Sequence, residues 1–134
     1  MKTDIISIVD DDKIYQFTMT KTIEATRKVK QILVFSDGEE AFNFLTKNQN
    51  NNASLPDIIF LDINMPYMDG WEFLAEFALL KPNLSKKIII YMVSSSVSDL
   101  DINRAKEISD VTDYIIKPIT VDSFNALIES LENL

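Results

Sequence analysis

Five short runs of Ile and Val, each followed by a helix-length stretch, constrain the fold of this 134-residue chain more than any other feature. The runs are apolar almost throughout and have polar or acidic residues on both sides. This pattern is typical of parallel strands that are buried on both faces. The predicted strands are residues 5–9, 32–35, 58–61, 88–93 and 114–116.

The intervals between these runs predict one helix each. The last interval has the clearest helical period, with Phe124, Leu127, Ile128 and Leu131 at i, i+3, i+4 and i+7 behind a predicted Thr120 cap. Strands and helices that alternate five times predict a parallel sheet with right-handed crossovers and helices on both faces. The expected fold is a doubly wound, three-layer α/β domain that uses the whole chain. The predicted helices are residues 13–28, 39–47, 71–81, 99–109 and 121–133.

Composition excludes several classes of function. The chain has 21 Asp and Glu against 13 Lys and Arg, and its net charge of -8 opposes direct binding to nucleic acid or anionic lipid. It has no Cys and no His, which excludes thiolate and histidine metal sites and Ser-His-Asp catalysis. Gly38 and Gly70 are the only glycines, too few for a dinucleotide fingerprint or a P-loop.

No segment predicts membrane insertion. The longest uncharged apolar run, residues 88–97, is about half of the roughly 20 residues that a membrane-spanning helix needs. Lys2, Asp4 and Asp10 interrupt any signal-peptide segment at the N-terminus. We therefore expect a cytoplasmic protein. The Asn-rich segment 47–56 is expected to be an exposed, solvated loop, with a partner-binding loop as the alternative.

Polar side chains follow four of the five predicted strands. In an open α/β sheet, ligands bind outside the carboxyl ends of the strands, so these residues are candidates for a common site. Asp10, Asp11 and Asp12 follow the first strand, Asp62 and Asn64 the third, Ser94, Ser95 and Ser96 the fourth, and Lys117 and Pro118 the fifth.

Such a site would combine carboxylates, a hydroxyl and an amine. Carboxylates that lie close together repel each other, and a hard cation such as Mg²⁺, which prefers oxygen ligands, relieves that repulsion. Beside a divalent cation and an ammonium group, an Asp carboxylate can accept a phosphoryl group because the cations neutralise the charge on its oxygens. Taken alone, an Asp triplet at a strand end is more often a solvated turn or a helix cap, and a Lys-Pro pair is almost always a turn. The complete set, in this order, predicts a site.

Five motifs, distributed over the chain from about Asp4 to the C-terminus, carry a family resemblance. Together they resemble the response-regulator receiver domain, and more specifically its single-domain, chemotaxis-regulator type. The resemblance implies one receiver domain over residues 1–134, with a flavodoxin-like sheet of strand order 2-1-3-4-5 and five helices. The motifs are Ile-Val-Asp-Asp at 8–11, Phe-Leu-Asp-Ile-Asn-Met-Pro at 60–66, Met-Asp-Gly at 68–70, Met-Val-Ser at 92–94 and Tyr-Ile-Ile-Lys-Pro at 114–118.

The resemblance also implies a role for individual residues in phosphorylation. Asp62 matches the phosphoacceptor, Lys117 the lysine that pairs with the phosphoryl group, and Ser94 the hydroxyl that moves to bond it. Tyr114 matches the aromatic residue that then rotates inward. The Lys117-Pro118 bond is expected to be cis, a geometry that aims the lysine at the site.

The same resemblance implies a Mg²⁺ site. Asp11 matches a direct carboxylate ligand and Asp10 a carboxylate that acts through a water molecule. Asp62 and the backbone carbonyl of Asn64 complete the expected set of metal ligands.

The implied function is signalling and not enzymatic turnover. A sensor histidine kinase or a phosphotransfer protein would supply the phosphoryl group, and the fourth helix, fifth strand and fifth helix would then bind a downstream protein. We expect a monomer or a phosphorylation-dependent homodimer. The chain ends with its fifth helix, so output is expected to be protein association, unless the sequence is a receiver excised from a longer regulator.

Two residues depart from the family pattern, and a third is an additional acid near the site. Ser95 stands where a small alanine is usual, so it stays open whether Ser94 or Ser95 bonds the phosphoryl group. Asp110 stands where the family often has glycine, and Asp tolerates a positive φ there if the position requires one. Asp12 is expected to cap the first helix.

Two other functions compete with this interpretation. A Mg²⁺-dependent phosphohydrolase with an Asp nucleophile usually needs a second acid two residues further on, where this chain has Asn64. A flavin carrier needs hydroxyls and amides in the first loop, where this chain has acids.

Overall fold

A computed structural model of the chain describes residues 3–133, so Met1, Lys2 and Leu134 of the predicted 1–134 domain lie outside the described residues. Five parallel strands form one sheet in the order β2-β1-β3-β4-β5, which confirms the expected topology. The strands are β1 (Ile5–Val9), β2 (Gln31–Phe35), β3 (Ile58–Leu61), β4 (Ile89–Ser94) and β5 (Val111–Ile116).

Helices cover both faces of the sheet. On one face α1 and α5 pack against alternate strand residues such as Ile8 and Phe60, while α2, α3 and α4 pack on the other face against residues such as Val9 and Leu61. None of these helices is long and apolar enough to cross a membrane. The helices are α1 (Lys13–Thr26), α2 (Gly38–Lys47), α3 (Gly70–Leu80), α4 (Asp99–Lys106) and α5 (Val121–Glu132).

Strand burial differs between the middle and the edges of the sheet. Every residue of β1, β3 and β4 is buried, as the apolar runs predicted. The prediction of burial on both faces is wrong for β2 and β5, because these edge strands keep part of their surface open to solvent. For the same reason the predicted fifth strand is too short: exposed Thr112 and Asp113 interrupt the apolar pattern near the start of β5.

Side-chain caps mark the starts of four of these helices, α1, α2, α3 and α5. The Asp12 carboxylate accepts hydrogen bonds from the backbone N–H groups of Ile14 and Tyr15, and Thr120 caps α5 by accepting from Ser123, so both predicted caps are confirmed. The predicted C-terminal ends of the helices are less accurate than the predicted starts. The structure ends α4 at Lys106, three residues before the predicted end, because a tight turn leads directly into β5.

Two expectations for loops need correction. Segment 47–56 is exposed at its Asn-rich centre, but Leu55 and Pro56 are buried beneath it, and the N–H of Ser85 donates to the carbonyl of Gln49 to hold the loop in place. Asp110 needs no special backbone tolerance. Among the described non-glycine residues only Arg27 and Tyr67 have positive φ values.

Candidate functional site

Three carboxylates meet at the carboxyl ends of β1 and β3. The two strands are neighbours with Val9 opposite Leu61, so Asp10 and Asp62 leave the sheet side by side, and the N–H of Asp62 donates to the Val9 carbonyl at 2.9 Å. One carboxylate oxygen from each of Asp10, Asp11 and Asp62 lies within 4.8 Å of the other two. Asp10 and Asp62 are buried and Asp11 is exposed, so the cluster has one face open to solvent.

The Lys117 ammonium group places a positive charge beside the buried acids. Its Nζ lies 2.6 Å from Oδ2 of Asp10 and 3.5 Å from Oδ1 of Asp62. The backbone N–H of Lys117 donates to the Ser94 carbonyl at 2.9 Å, which joins the ends of β4 and β5. The Lys117-Pro118 bond is cis, as predicted. The structure therefore places this lysine among the acids that the sequence singled out.

One ammonium does not balance two buried acids. Burial, and after it the negative charge of Asp10, raise the pKa of the Asp62 carboxyl to about 6, although Lys117 acts in the opposite direction. A second positive charge near Asp62 would favour its carboxylate form. The site is therefore prepared electrostatically for a cation.

The residues present fit a hard divalent cation. All the clustered donors are oxygens, as Mg²⁺ prefers, and metal–oxygen bonds of about 2.1 Å bring ligand oxygens to within roughly 4.2 Å of each other. The three carboxylate oxygens already lie within 4.8 Å of one another, close to that limit. Asn64 lines the same open depression as Asp11, beside Met65, Pro66 and Asp69.

Ser94 and Tyr114 lie on neighbouring strands, as predicted, and both contact the loop after β4. The Ser94 hydroxyl is buried and accepts a hydrogen bond from the N–H of Ser96 at 3.1 Å, whereas Ser95 is exposed. Tyr114 is half-buried and its hydroxyl donates to the Ser96 carbonyl at 2.9 Å. Ser96 is therefore bonded to both residues.

Two residues beside the acids did not emerge from the sequence. Gln16 is buried and its side-chain amide donates to the Asp10 carbonyl at 2.6 Å. The ring of Tyr15 lies against Lys117, with 4.2 Å between Nζ and the ring centroid. Gln16 shares the buried face of α1 with Met19 and Ile23, and a polar residue on that apolar stripe was the available signal. No comparable signal marks Tyr15.

This chain is similar in sequence or fold to known response regulators and to one longer enzyme. A two-component response regulator from Cytophaga hutchinsonii is 32% identical, with a TM-score of 0.87 and full coverage of both chains. The Mn²⁺-bound form of response regulator Rcp1 is 25% identical, with a TM-score of 0.72 over 98% of this chain and 93% of that one. A protein-glutamate methylesterase/protein-glutamine glutaminase of Azospirillum brasilense is 29% identical over 113 residues, which are 84% of this chain and 26% of that protein.

The family assignment rests on most of the chain. The family model of the response regulator receiver domain matches residues 6–129, a span that includes all five strands except the first residue of β1. It also includes the three clustered acids and Lys117. This chain belongs to the response regulator receiver domain family.

Proposed function

We propose that this protein is a phosphorylation-activated signalling protein in which Asp62 accepts a phosphoryl group from a sensor histidine kinase or a phosphotransfer protein. The observation that carries the proposal is the position of Asp62, which shares a possible cation site with Asp10 and Asp11 and lies 3.5 Å from the Lys117 ammonium. These are the charges that a phosphoryl group on an aspartate needs around it.

The transfer reaction follows from this arrangement. An oxygen of the Asp62 carboxylate attacks phosphorus, and the bond between phosphorus and the donor breaks, so the donor leaves with the electron pair. Lys117 stabilises the negative charge on the phosphoryl oxygens, and Mg²⁺, when bound, supplies the remaining positive charge. Asp62 must be ionised to attack, and the nearby positive charges favour its ionised form.

For the cation we propose Mg²⁺, held by Asp10, Asp11, Asp62 and the backbone carbonyl of Asn64. The oxygen-only donor set supports this assignment, as does the Mn²⁺-bound structure of the similar regulator Rcp1. We propose that Asp10 acts through a water molecule, which fits the hydrogen bonds that its oxygens already accept, Oδ2 from Lys117 and Oδ1 from the N–H of Asp12.

Exposed apolar side chains near the acids support docking of a donor protein. Ile14 and Phe17 on α1 are 79% and 65% exposed, and Tyr67 in the loop after β3 is 84% exposed. Ile14 follows Asp11 by three residues and Tyr67 follows Asn64 by three. Large apolar side chains that stay in water are typical of protein interfaces. Ile14 and Tyr67 are therefore our candidates for contact with the phosphodonor.

The response to phosphorylation is proposed to pass through Ser94 and Tyr114. The phosphoryl group draws the Ser94 hydroxyl away from the N–H of Ser96, and this movement also disturbs the bond between Ser96 and Tyr114. Tyr114 then moves inward and alters the surface formed by α4, β5 and α5. Leu100 and Ile116 on that surface are 83% and 41% exposed, which fits a surface that binds a downstream protein.

We propose a regulator of the single-domain, chemotaxis type that is either a monomer or a phosphorylation-dependent homodimer. The support is the match with the Cytophaga regulator over the full length of both chains. The Azospirillum relative, of which this chain spans about a quarter, supports the alternative of a receiver within a longer regulator. Light scattering before and after phosphorylation separates a lasting monomer from a phosphorylation-dependent dimer.

Phosphorylation can be tested with a small phosphodonor such as acetyl phosphate. With Mg²⁺ present, the intact mass of the native chain should increase by one phosphoryl group, and a chelator should prevent the gain. Asp62→Asn should stay unmodified. Asp12→Asn is a matched control from the same site, because Asn also caps helices and Asp12 is not a proposed ligand. A full mass gain in Asp62→Asn would refute the proposal.

A further inference from the structure

The Lys117 ammonium is enclosed from three directions. Asp10 Oδ2 is 2.6 Å away, Asp62 Oδ1 is 3.5 Å away, and the centroid of the Tyr15 ring is 4.2 Å away. The lysine side chain is only 15% exposed. Two of these neighbours are acids that form ion pairs with the ammonium. The third is an aromatic face that attracts cations through its quadrupole.

Tyr15 is fixed in its position by the start of α1. Its backbone N–H donates to the capping carboxylate of Asp12 at 3.2 Å. Its hydroxyl oxygen is buried and has no hydrogen-bond partner among residues 3–133. Burial and the negative charges of Asp10 and Asp62 raise the pKa of this hydroxyl, so it stays neutral. The contact that Tyr15 makes with the site is therefore made by its ring.

A lysine in this place needs such a contact. Its side chain has four flexible carbon–carbon bonds, and its ammonium can leave for water at a gain in entropy. A cation bound to the acids would also weaken their hold on the ammonium, since both compete for the same oxygens. The aromatic face is unaffected by that competition. It continues to hold the ammonium next to Asp62 when the acids are occupied.

We propose that Tyr15 is a positioning residue for phosphoryl transfer, whose ring holds the Lys117 ammonium beside Asp62. The proposal rests on the proposed role of Asp62 as phosphoacceptor. Tyr15 itself touches neither the attacking oxygen nor the phosphoryl group in this account; it acts through Lys117.

The contact can be observed without any reaction. An ammonium above an aromatic ring experiences the ring current, so the ε-CH₂ signals of Lys117 should be shifted upfield in the NMR spectrum of the native chain. The shift should disappear in Tyr15→Leu and Tyr15→Met and persist in Tyr15→Phe. Two apolar replacements are used so that a folding defect in one does not prevent the test. Unshifted Lys117 signals in the native chain would overturn the proposal.

The kinetic test uses acetyl phosphate and Mg²⁺ in a double-mutant cycle. Tyr15→Leu should slow phosphorylation about tenfold, as expected for a cation–π contact in a site largely closed to water. Tyr15→Phe should react like the native chain. In a Lys117→Met background, Tyr15→Leu should have no further effect.

The outcomes separate this proposal from the proposed function. If the native chain is not modified at Asp62, the proposed function fails before Tyr15 is considered. If the native chain is modified and Tyr15→Leu slows the reaction equally with and without Lys117, the ring has only a structural role. If Tyr15→Phe is as slow as Tyr15→Leu, the hydroxyl and not the ring is responsible. Either of the last two results overturns the positioning role.

Discussion

At the scale of single residues, the surroundings of Asp62 disfavour the ionised form of its carboxyl group. Asp62 is buried beside Asp10, and the Lys117 ammonium and a backbone hydrogen bond from Ile63 offset only part of that cost. A carboxylate in such a position reduces the stability of the protein and gains reactivity. The same negative charge of Asp62 would bind a cation, and the oxygen that carries it would attack phosphorus.

This cost predicts that Asp62→Asn stabilises the cation-free protein. The pKa of Asp62 is about 6 in the native state, against an ordinary value of 3.8. The native state therefore binds more protons than the unfolded state between these values, and stability falls as the pH rises from about 4 to 6. At pH 7 we expect Asp62→Asn to raise the free energy of unfolding by about 1–2 kcal/mol, after allowance for solvent screening. Below pH 4 the difference should vanish.

Urea titrations followed by the fluorescence of Trp71, the only tryptophan, measure this difference. Asp122→Asn, which removes an exposed acid on α5, is the control and should show no comparable gain. Equal stability of Asp62→Asn and the native chain at pH 7 would show that the ionised, buried Asp62 beside Asp10 does not lower the free energy of unfolding.

At the opposite end of the sheet, a third buried acid, Asp57, joins two strands. Oδ2 of Asp57 accepts hydrogen bonds from the N–H groups of Asp4 and Ile5, both at 2.9 Å, and Oδ1 lies 3.1 Å from Nζ of Lys86. The carboxylate thus ties the start of β1 to the start of β3.

Removal of this carboxylate should be costly. Asp57→Ala leaves two N–H groups without their partner and takes the ion-pair partner from Lys86, which keeps its hydrogen bond to the Leu55 carbonyl. We expect a loss of about 2–4 kcal/mol in the free energy of unfolding. Chemical denaturation measures the loss. Glu76→Ala, at an exposed position of α3, should change stability by less than about 0.5 kcal/mol. A similarly small effect of Asp57→Ala would show that its carboxylate does not stabilise the link between the starts of β1 and β3.

At the scale of elements, the start of α3 is packed against the end of β3. The N–H of Gly70 donates to the Ile63 carbonyl at 2.8 Å, and a Cβ atom on Gly70 would lie 2.3 Å from the backbone oxygen of Asp62. Any larger residue would displace the loop that carries Asp62.

Gly70→Ala should therefore destabilise the protein by about 1–3 kcal/mol, although alanine favours helices by about 1 kcal/mol over glycine. Mg²⁺ binding, followed by calorimetry, should weaken in the same variant because Asp62 moves. Ala75→Ser, an exposed change in the same helix, is the control. If Gly70→Ala is more stable than the native chain, the close approach is not a constraint.

The sequence predicted the elements where burial leaves a simple pattern. Wholly buried β1 and β3 were located to the residue, because an apolar run has clear ends when both faces are covered. The start of β5 was missed because an edge strand mixes exposed polar residues with apolar ones. The acids and Lys117 could be placed together because parallel strands end at one edge of the sheet. The contact of Tyr15 with Lys117 could not, because it depends on how α1 lies on the sheet.

At the scale of the whole molecule, a local charge has to alter a distant surface. A phosphoryl group adds a charge of about -1.5 to -2 to a chain of net charge -8. Reversal of a 1:99 population to 99:1 takes about 5.5 kcal/mol, so the two states of Tyr114 must differ by only a few kcal/mol. The single hydrogen bond from Tyr114 to the Ser96 carbonyl is a restraint of suitable size.

Beryllium fluoride, which mimics a phosphoryl group on aspartate, tests this coupling by NMR. Amide shifts should change around Asp11, Asp62 and Lys117, and also at residues 104–108 and Tyr114. Ser94→Ala should abolish the distant changes and keep the local ones, whereas Ser95→Ala should keep both. Changes confined to the loops at the site in the native chain would show that the two regions are not coupled.

Whether Asp62 carries the phosphoryl group can be decided by locating that group in the phosphorylated chain. Phosphorylated chain is treated with borohydride, which reduces an acyl phosphate on aspartate to homoserine, and the product is digested and sequenced by mass spectrometry. We expect homoserine at position 62 and unchanged aspartate at Asp10, Asp11 and Asp12. Homoserine at any of those three positions, with Asp62 unchanged, would contradict it.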